Sequence, residues 1–384
     1  MDINFIDLPE ARERLKPFTF TRPIAEIRVG ILTIREKWEH LGFHTGYTTP
    51  DYLSAKYPSL DTNMSINGSI MPSAHLVAAI QNLASGEALM QNGHFLAGVL
   101  NGKPVAFEEE VSSIQQTWDI FAMNRLQIMA DLELIKPNTQ FVPLDDPHTI
   151  VYGQENLFIE EGAQIKAAII DATEGPVYIG KNGRVHPGAI INGAFALCEG
   201  SHVNMGAKIK GDTTVGPYCK VGGEVSNSVF FGFSNKGHDG FVGNSVIGEW
   251  CNLGADTNTS NLKNNYAEVK LWDYGTGRFA KTGLQFCGLM MGDHAKCGIN
   301  TMFNTGTVVG VGANVFGSGF PRNFIPSFSW GGAAGLTTFQ INKFTEVAEA
   351  VMGRRSKTYD EQEANIIQHI FEQTAQYRIW EKKA

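Results

Sequence analysis

No run of about 18 uninterrupted apolar residues occurs in this 384-residue chain, so nothing in it reads as a membrane-spanning helix. The first stretch, "MDINFIDLPEARERLKPFTF", lacks the basic segment followed by an apolar one that marks a secretory leader. Together these absences predict a soluble, cytoplasmic protein. Cysteine is scarce: Cys198, Cys219, Cys251, Cys287 and Cys297 are odd in number and show no C-x-x-C spacing. That excludes a zinc ribbon or dithiol redox motif and predicts free thiols in a reducing compartment. Basic charge is also short, with 31 Lys and Arg against 39 Asp and Glu, a formal net charge of −8. A broad basic surface for nucleic acid or an anionic membrane is therefore excluded, whereas a pocket for a phosphorylated small molecule needs only a few local cations.

What the chain does have is a period of six. From Ile179 every sixth residue is aliphatic: Ile179, Val185, Ile191, Leu197, Val203, Ile209, Val215, Val221. If such residues fill about a fifth of positions, eight in register have a chance on the order of one in several hundred thousand. Helices repeat at 3.6 and strands at 2, so neither explains it. A six-residue period marks a parallel β-helix, three hexapeptides closing a triangular coil of about 18 residues with the aliphatics stacked inside. Gly180, Gly206, Ala207, Gly216 and Gly222 follow the aliphatics, where corners need positive φ or close backbone approach. The register resumes at Ile247 and Leu253, then from Met291 through Cys297, Phe303 and Val309 to Val315.

Between these runs lies an asparagine-rich, off-period stretch, 257–283, which reads as a loop thrown out from the coil. Residues 1 to about 150 mix strand-like and helical pieces, which predicts an α/β domain. The coil is expected over 151–332, and 333–384 reads as helices capping its open end.

One histidine sits in bulk-poor sequence, in "NKGHDGFVGNSVIG", residues 235–248. From Lys236 to Asn261, "KGHDGFVGNSVIGEWCNLGADTNTSN" resembles the acyltransferase half of the bifunctional N-acetylglucosamine-1-phosphate uridyltransferase/glucosamine-1-phosphate acetyltransferases. The resemblance implies a left-handed β-helix assembled as a homotrimer, with the loop over 257–283 reaching a neighbouring chain. It implies His238 as the catalytic base, with Gly243 after it and Lys236 before it as a substrate-binding residue that helps hold a phosphate or the coenzyme's pantetheine arm. Asn252 and Asn261 would contact the sugar, Glu224 matches a family glutamate, and Lys263 is a further substrate-binding candidate. Where the glucosamine enzymes carry a lysine for the sugar phosphate, this chain has Ser226. His186, His202 and His294 have no such company and are read as structural.

The N-terminal stretch "RLKPFTFTRP", Arg14 to Pro23, resembles the R-L-x-P-x-T-x-x-K-P of sugar nucleotidyltransferases, with Arg22 in place of the lysine. Arg14 and Arg22 are thus candidates for a nucleotide-like site. The family's G-x-G-T turn, whose amides cradle phosphates, is Glu10, Ala11, Arg12 and Glu13 here. The domain therefore reads as a degenerate relative, and Mg²⁺ is expected only if it is active.

The resemblance implies an acyltransferase that uses acetyl-CoA or another acyl-CoA as co-substrate. Its acceptor would be an amino-sugar phosphate or sugar nucleotide, and no metal is expected in the coil. An amine must lose a proton as it attacks a thioester, and a histidine with pKa near 6.5 can collect it. Glycine corners offer N–H groups to the developing oxyanion. Two alternatives stay open: sugar-1-phosphate nucleotidyl transfer through the N-terminal domain, and a non-catalytic trimeric scaffold that binds a sugar nucleotide.

Overall fold

The hexapeptides close into a parallel β-helix with three faces, seen in a computed structural model that describes residues 1–383. The first face carries six strands, from Ile150–Tyr152 to Phe241–Gly243, and the second nine, from Leu157–Ile159 to Phe324–Ile325. The third carries ten, from Gln164–Ile165 to the closing hairpin Ser329–Gly332 and Gly335–Thr338. Each inward aliphatic stacks on its register partner, as Val185 on Val203 and Val203 on Val221. Gly206 has a positive φ of 69°, whereas Gly216 is needed for close approach: a Cβ there would lie 1.9 Å from the Phe231 carbonyl oxygen.

On the first and third faces, strands alternate exposed and buried residues; on the second, strands such as Val177–Ile179 and Leu289–Met291 are buried throughout. The reason is the N-terminal domain, whose six-stranded sheet has the order β2-β1-β3-β5-β4-β6. Its strands are β1 Asp2–Ile6, β2 His44–Thr48, β3 Met64–Asn67, β4 Glu87–Gln91, β5 His94–Val99 and β6 Lys103–Ala106. Elements beside that sheet cover the second face. Ile128 and Leu132 of the helix Asn124–Ile135 pack on Tyr178 and Ala196, and Phe18 packs on Phe231 with ring centroids 5.2 Å apart.

An ion pair fastens the two domains. Arg22, predicted for a nucleotide site, is instead buried against Asp293 of the coil, with Glu249 at 3.4 Å. Asp293 also accepts from the Thr21 hydroxyl at 2.6 Å and the Glu249 N–H at 2.8 Å. Buried and paired through Nη2, the guanidinium does not line the N-terminal domain's cleft, where a phosphate would have to meet it.

Two further expectations change. The six-period lapses after Val221, yet the coil does not: Val225 stacks on Ile209 and Val242, and Phe230 on Val215 and Ile247, because shortened corners keep the ladder in register. The loop begins later than 257, since Asn258–Thr259 still pairs with Met302–Phe303. Beyond that strand comes a hairpin, Lys270–Asp273 with Arg278–Lys281, which packs on its own chain: Leu271 and Tyr274 are buried, Tyr274 meets Phe20 edge-on, and Trp272 stacks on Phe324 at 4.1 Å. The C-terminal helices, Ile341–Gly353 and Glu361–Gln373, follow the antiparallel hairpin that ends the coil, and their Phe344 and Phe371 pack on Phe328 of the last rung. The first runs back along the coil from Phe328, which meets Phe344, to Asn235, which accepts from Arg355 at 3.3 Å.

Removing Asp293 leaves Arg22 as a buried cation with only the half-exposed Glu249 nearby. Asp293→Ala should lower unfolding free energy by about 3–5 kcal/mol in chemical denaturation, far more than the exposed control Glu346→Ala. A loss below about 1 kcal/mol would mean that the pair does not fasten the domains.

Candidate active site at a corner of the coil

Lys236 occupies an inward position, in register with Val221, so an ammonium stands where the ladder elsewhere places an aliphatic. Its side chain is fully buried, and Nζ donates to the carbonyls of His238, Asp239 at 2.6 Å and Gly222 at 3.4 Å. Burial pulls its pKa down to about 8, with Asp239 and Asp256 opposing. The amide of Asn204 ties the same corner by donating to the Gly237 carbonyl at 2.7 Å. Lys236 is therefore a staple beneath the histidine, and its ammonium is spent on backbone oxygens; the expected contact with a phosphate or a coenzyme arm is overturned.

The corner so fixed presents His238 to solvent. Its ring lines two adjoining cavities. One, of about 570 Å³, holds His186, Asn204, Asp239 and Asp256. The other, of about 810 Å³, lies between the third face and the helix Ile341–Gly353, and takes in Lys220, Asn252, Lys296, Arg354 and Arg355. Of the residues predicted from sequence, Asn252 joins His238 here, placed by its register with Asn235 and Lys296.

Other predicted residues stand apart. Glu224 pairs with Lys210 at 2.8 Å and lines a smaller cavity of about 270 Å³, which touches the His238 site only through Gly223 and Asp239. Asn261 donates to the Asn244 side chain at 2.8 Å, and Lys263 to the Glu268 carbonyl at 2.9 Å; neither lines a cavity with His238. The cause is geometric: nine residues are half a turn of an 18-residue coil, so Asn252 and Asn261 face different ways.

Sequence reading also missed residues. His186, taken as structural, lines the His238 cavity; its Nε2 lies 3.5 Å from Nδ1 of His202. Burial, followed by Lys220, His186 and Arg184, pulls His202 down to about 4. Part of the signal lay in the interval of 18, since His186 and Asn204 are one turn apart; Lys220 pairs instead with Asn235, fifteen positions on, so that interval does not find it. His294 is structural as expected, buried on Trp250 in a column with Phe233 and Tyr218.

The N-terminal domain has its own cleft, of about 770 Å³, at the carboxyl ends of β1 and β3. Glu10 to Glu13 form part of a short helix, Pro9–Arg14, rather than an amide-lined loop. Arg14 lines the cleft but spends its guanidinium on Gln115, on the carbonyl at 3.1 Å and the side chain at 2.9 Å. The lining offers a single carboxylate, Glu10, and among the described residues no group of three or more acidic, histidine or cysteine side chains could hold a metal ion. The residues present do not fit Mg²⁺.

Residues 3–140 match the sugar nucleotidyl transferase family. The chain is 27% identical over 169 residues to the bifunctional sugar-1-phosphate nucleotidylyltransferase/acetyltransferase of Sulfurisphaera tokodaii, a match spanning 44% of this chain and 40% of that one. It is 36% identical over 87 residues to the bifunctional protein GlmU of Methanocaldococcus jannaschii, covering 23% of this chain and 21% of the relative. A putative uncharacterized acetyltransferase of Escherichia coli, YaiX, is 29% identical over 143 residues, covering 37% and 61%. The matches thus span less than half the length of the bifunctional relatives. Among solved structures, the polySia specific acetyltransferase NeuO aligns over 50% of this chain and 84% of its own at 15% identity and a TM-score of 0.28. The N-acyltransferase AntD of Bacillus cereus, in complex with dTDP and 3-hydroxybutyryl-CoA, aligns over 59% and 97% at 13% identity and a TM-score of 0.22. The chain resembles the bifunctional nucleotidyltransferase/acetyltransferases, as its two motifs imply.

Lys236→Met should keep the coil folded, since an apolar side chain suits the inward position, but release the corner. Amides of residues 237–240 should then exchange with deuterium about 10-fold faster or more, the scale of a lost charge-assisted bond. Unchanged exchange would show that Lys236 does not hold the corner.

Proposed function

We propose that the coil transfers an acyl group from a coenzyme A thioester to the amino group of a sugar phosphate or sugar nucleotide, with His238 as general base. The observation that carries this is the exposed imidazole at the junction of a carboxylate-bearing cavity and a cationic cleft, on a corner fixed from beneath by Lys236. Among the described residues no protein group hydrogen-bonds the ring, which leaves a nitrogen free for the substrate.

In this reading the amine nitrogen attacks the thioester carbonyl carbon and the C–N bond forms. The proton leaving nitrogen passes to the His238 ring, and backbone N–H groups of the glycine corner face the oxyanion. Collapse breaks the C–S bond, and the departing sulfur takes up the proton. Asp239 and Asp256 attract the amino group to this side of the ring, and Asn204 and Asn252 orient hydroxyls. Asn261, Lys263 and Glu224 face elsewhere, so they take part only across a contact between copies; a homotrimer is the assembly that would provide one.

The test is thioester consumption with acetyl-CoA and a panel of amino-sugar phosphates and nucleotides. His238→Ala should cut turnover by about 10²-fold or more with the fold intact, because a base acts in the transition state. Full activity in that variant would remove the histidine from the mechanism.

The N-terminal domain is proposed to transfer nucleotidyl groups weakly or not at all, since a short helix replaces the amide-lined turn, Glu10 brings a carboxylate into the cleft and Arg14 is already engaged. Pyrophosphate release from nucleoside triphosphates and sugar 1-phosphates should stay at background. Robust release abolished by Arg14→Ala would reverse this reading and make nucleotidyl transfer a principal activity.

A further inference from the structure

Most of the cations this acidic chain spends inside its folded body are paired: Arg12 with Asp7, Arg22 with Asp293, Lys37 with Asp131, Arg35 with Glu26, Lys56 with Glu363. The cleft between the third face and the helix Ile341–Gly353 breaks that habit. Lys220, Lys296, Arg354 and Arg355 line it, no aspartate or glutamate does, and none of the four forms an ion pair among the described residues. Like charges gathered at one cleft repel one another, and a chain with net charge −8 has carboxylates to spare for them.

The cations are also held in place. Lys296 is partly buried, and its Nζ donates to the His294 carbonyl at 2.9 Å, which leaves further N–H groups for a ligand. Arg355 donates to Asn235, the third-face residue in register between Lys220 and Asn252. Lys220, Asn235, Asn252 and Lys296 lie on four successive strands, so the two lysines are roughly 14 Å apart at strand spacing. Four cations along a row of that length suit an elongated polyanion better than a single phosphate. The field is felt nearby: Lys220 and Arg355 both push protons off His202.

We infer that this cleft binds the pyrophosphate of a nucleoside diphosphate unit, with Arg354 and Arg355 closing over it from the turn that ends the helix and Lys220 and Lys296 meeting it from the coil. Two substrates could bring that unit, the acyl donor coenzyme A or a sugar nucleotide acceptor, and either would then reach His238, which lines the same cleft. The site deepens the acyl-transfer reading but its test does not depend on catalysis.

Calorimetric titration with coenzyme A, ADP and UDP would be compared for the natural chain, the double variant Arg354→Gln/Arg355→Gln, and Lys296→Gln. Lys343→Gln, an exposed lysine paired with Glu346, serves as control. At least one ligand should bind the natural chain, each cleft variant should weaken it about 10-fold or more, and the control should not. Binding of coenzyme A and ADP but not UDP assigns the cleft to the donor; binding of UDP alone assigns it to the acceptor; equal binding of all means that it reads pyrophosphate alone. If the double variant fails to fold, Lys220→Gln asks the same question from the coil. No binding at millimolar ligand, or affinities unchanged in folded cleft variants, overturns the inference. Weakened binding without acylation of any amine would sink the acyl-transfer reading alone. Acylation that depends on His238 with unchanged cleft affinities would sink this inference alone.

Discussion

A rung of this coil has almost no stability by itself, because two or three residues per strand bury too little to offset the ordering of the backbone. Stacking supplies what is missing: Ile170 on Ile191, Ile191 on Ile209, and so on along each face. Register is the consequence, since a slip of one residue would turn every inward side chain to water. Corner geometry then follows from the stack. At one corner Tyr218, Phe233, Trp250 and His294 all take left-handed backbone with φ between 53° and 60°, so their rings form a column along the coil.

Against that background the inward lysine acquires its meaning. Burying an ammonium is costly, and Lys236 recovers the cost through three carbonyls of the corner it supports. The rigid coil thereby passes its order to a turn that Asn204 also ties at the Gly237 carbonyl. His238 stays exposed while its backbone is anchored, a combination suited to a group that must meet a substrate without searching for it.

The second face shows how the same repeat joins two domains. Its strands are apolar on both sides, and the outward row, with Val229, Val246 and Met290, shares one core with Phe18, Phe20 and Ile24. Apolar area supplies the adhesion, whereas Arg22 and Asp293 supply the alignment, since an ion pair this deeply buried tolerates little displacement. The N-terminal domain thus has a sheet and a cleft of its own while one of its two candidate arginines is given over to holding the coil.

Much of this was legible in the chain itself. The six-residue period determines a parallel β-helix, because no other element repeats so, and the glycine and histidine pattern around 235–248 marks the corner that carries the site. The missing glycine turn at Glu10 to Glu13 likewise foretells a cleft without a phosphate cradle. Only the tertiary structure decided which residues share that site. A coil places together residues a full turn apart, and shortened corners after Val221 change that interval, so Lys220 meets Asn235 and Asn252 beside His238, while Asn261, half a turn beyond Asn252, faces elsewhere. Arg354 and Arg355, over a hundred positions downstream, reach the same cleft because the first C-terminal helix runs back along the coil. Local pattern determines the repeat, since each hexapeptide answers to its immediate neighbours; long-range packing decides the company His238 keeps, since that depends on how the rest of the chain folds over the coil.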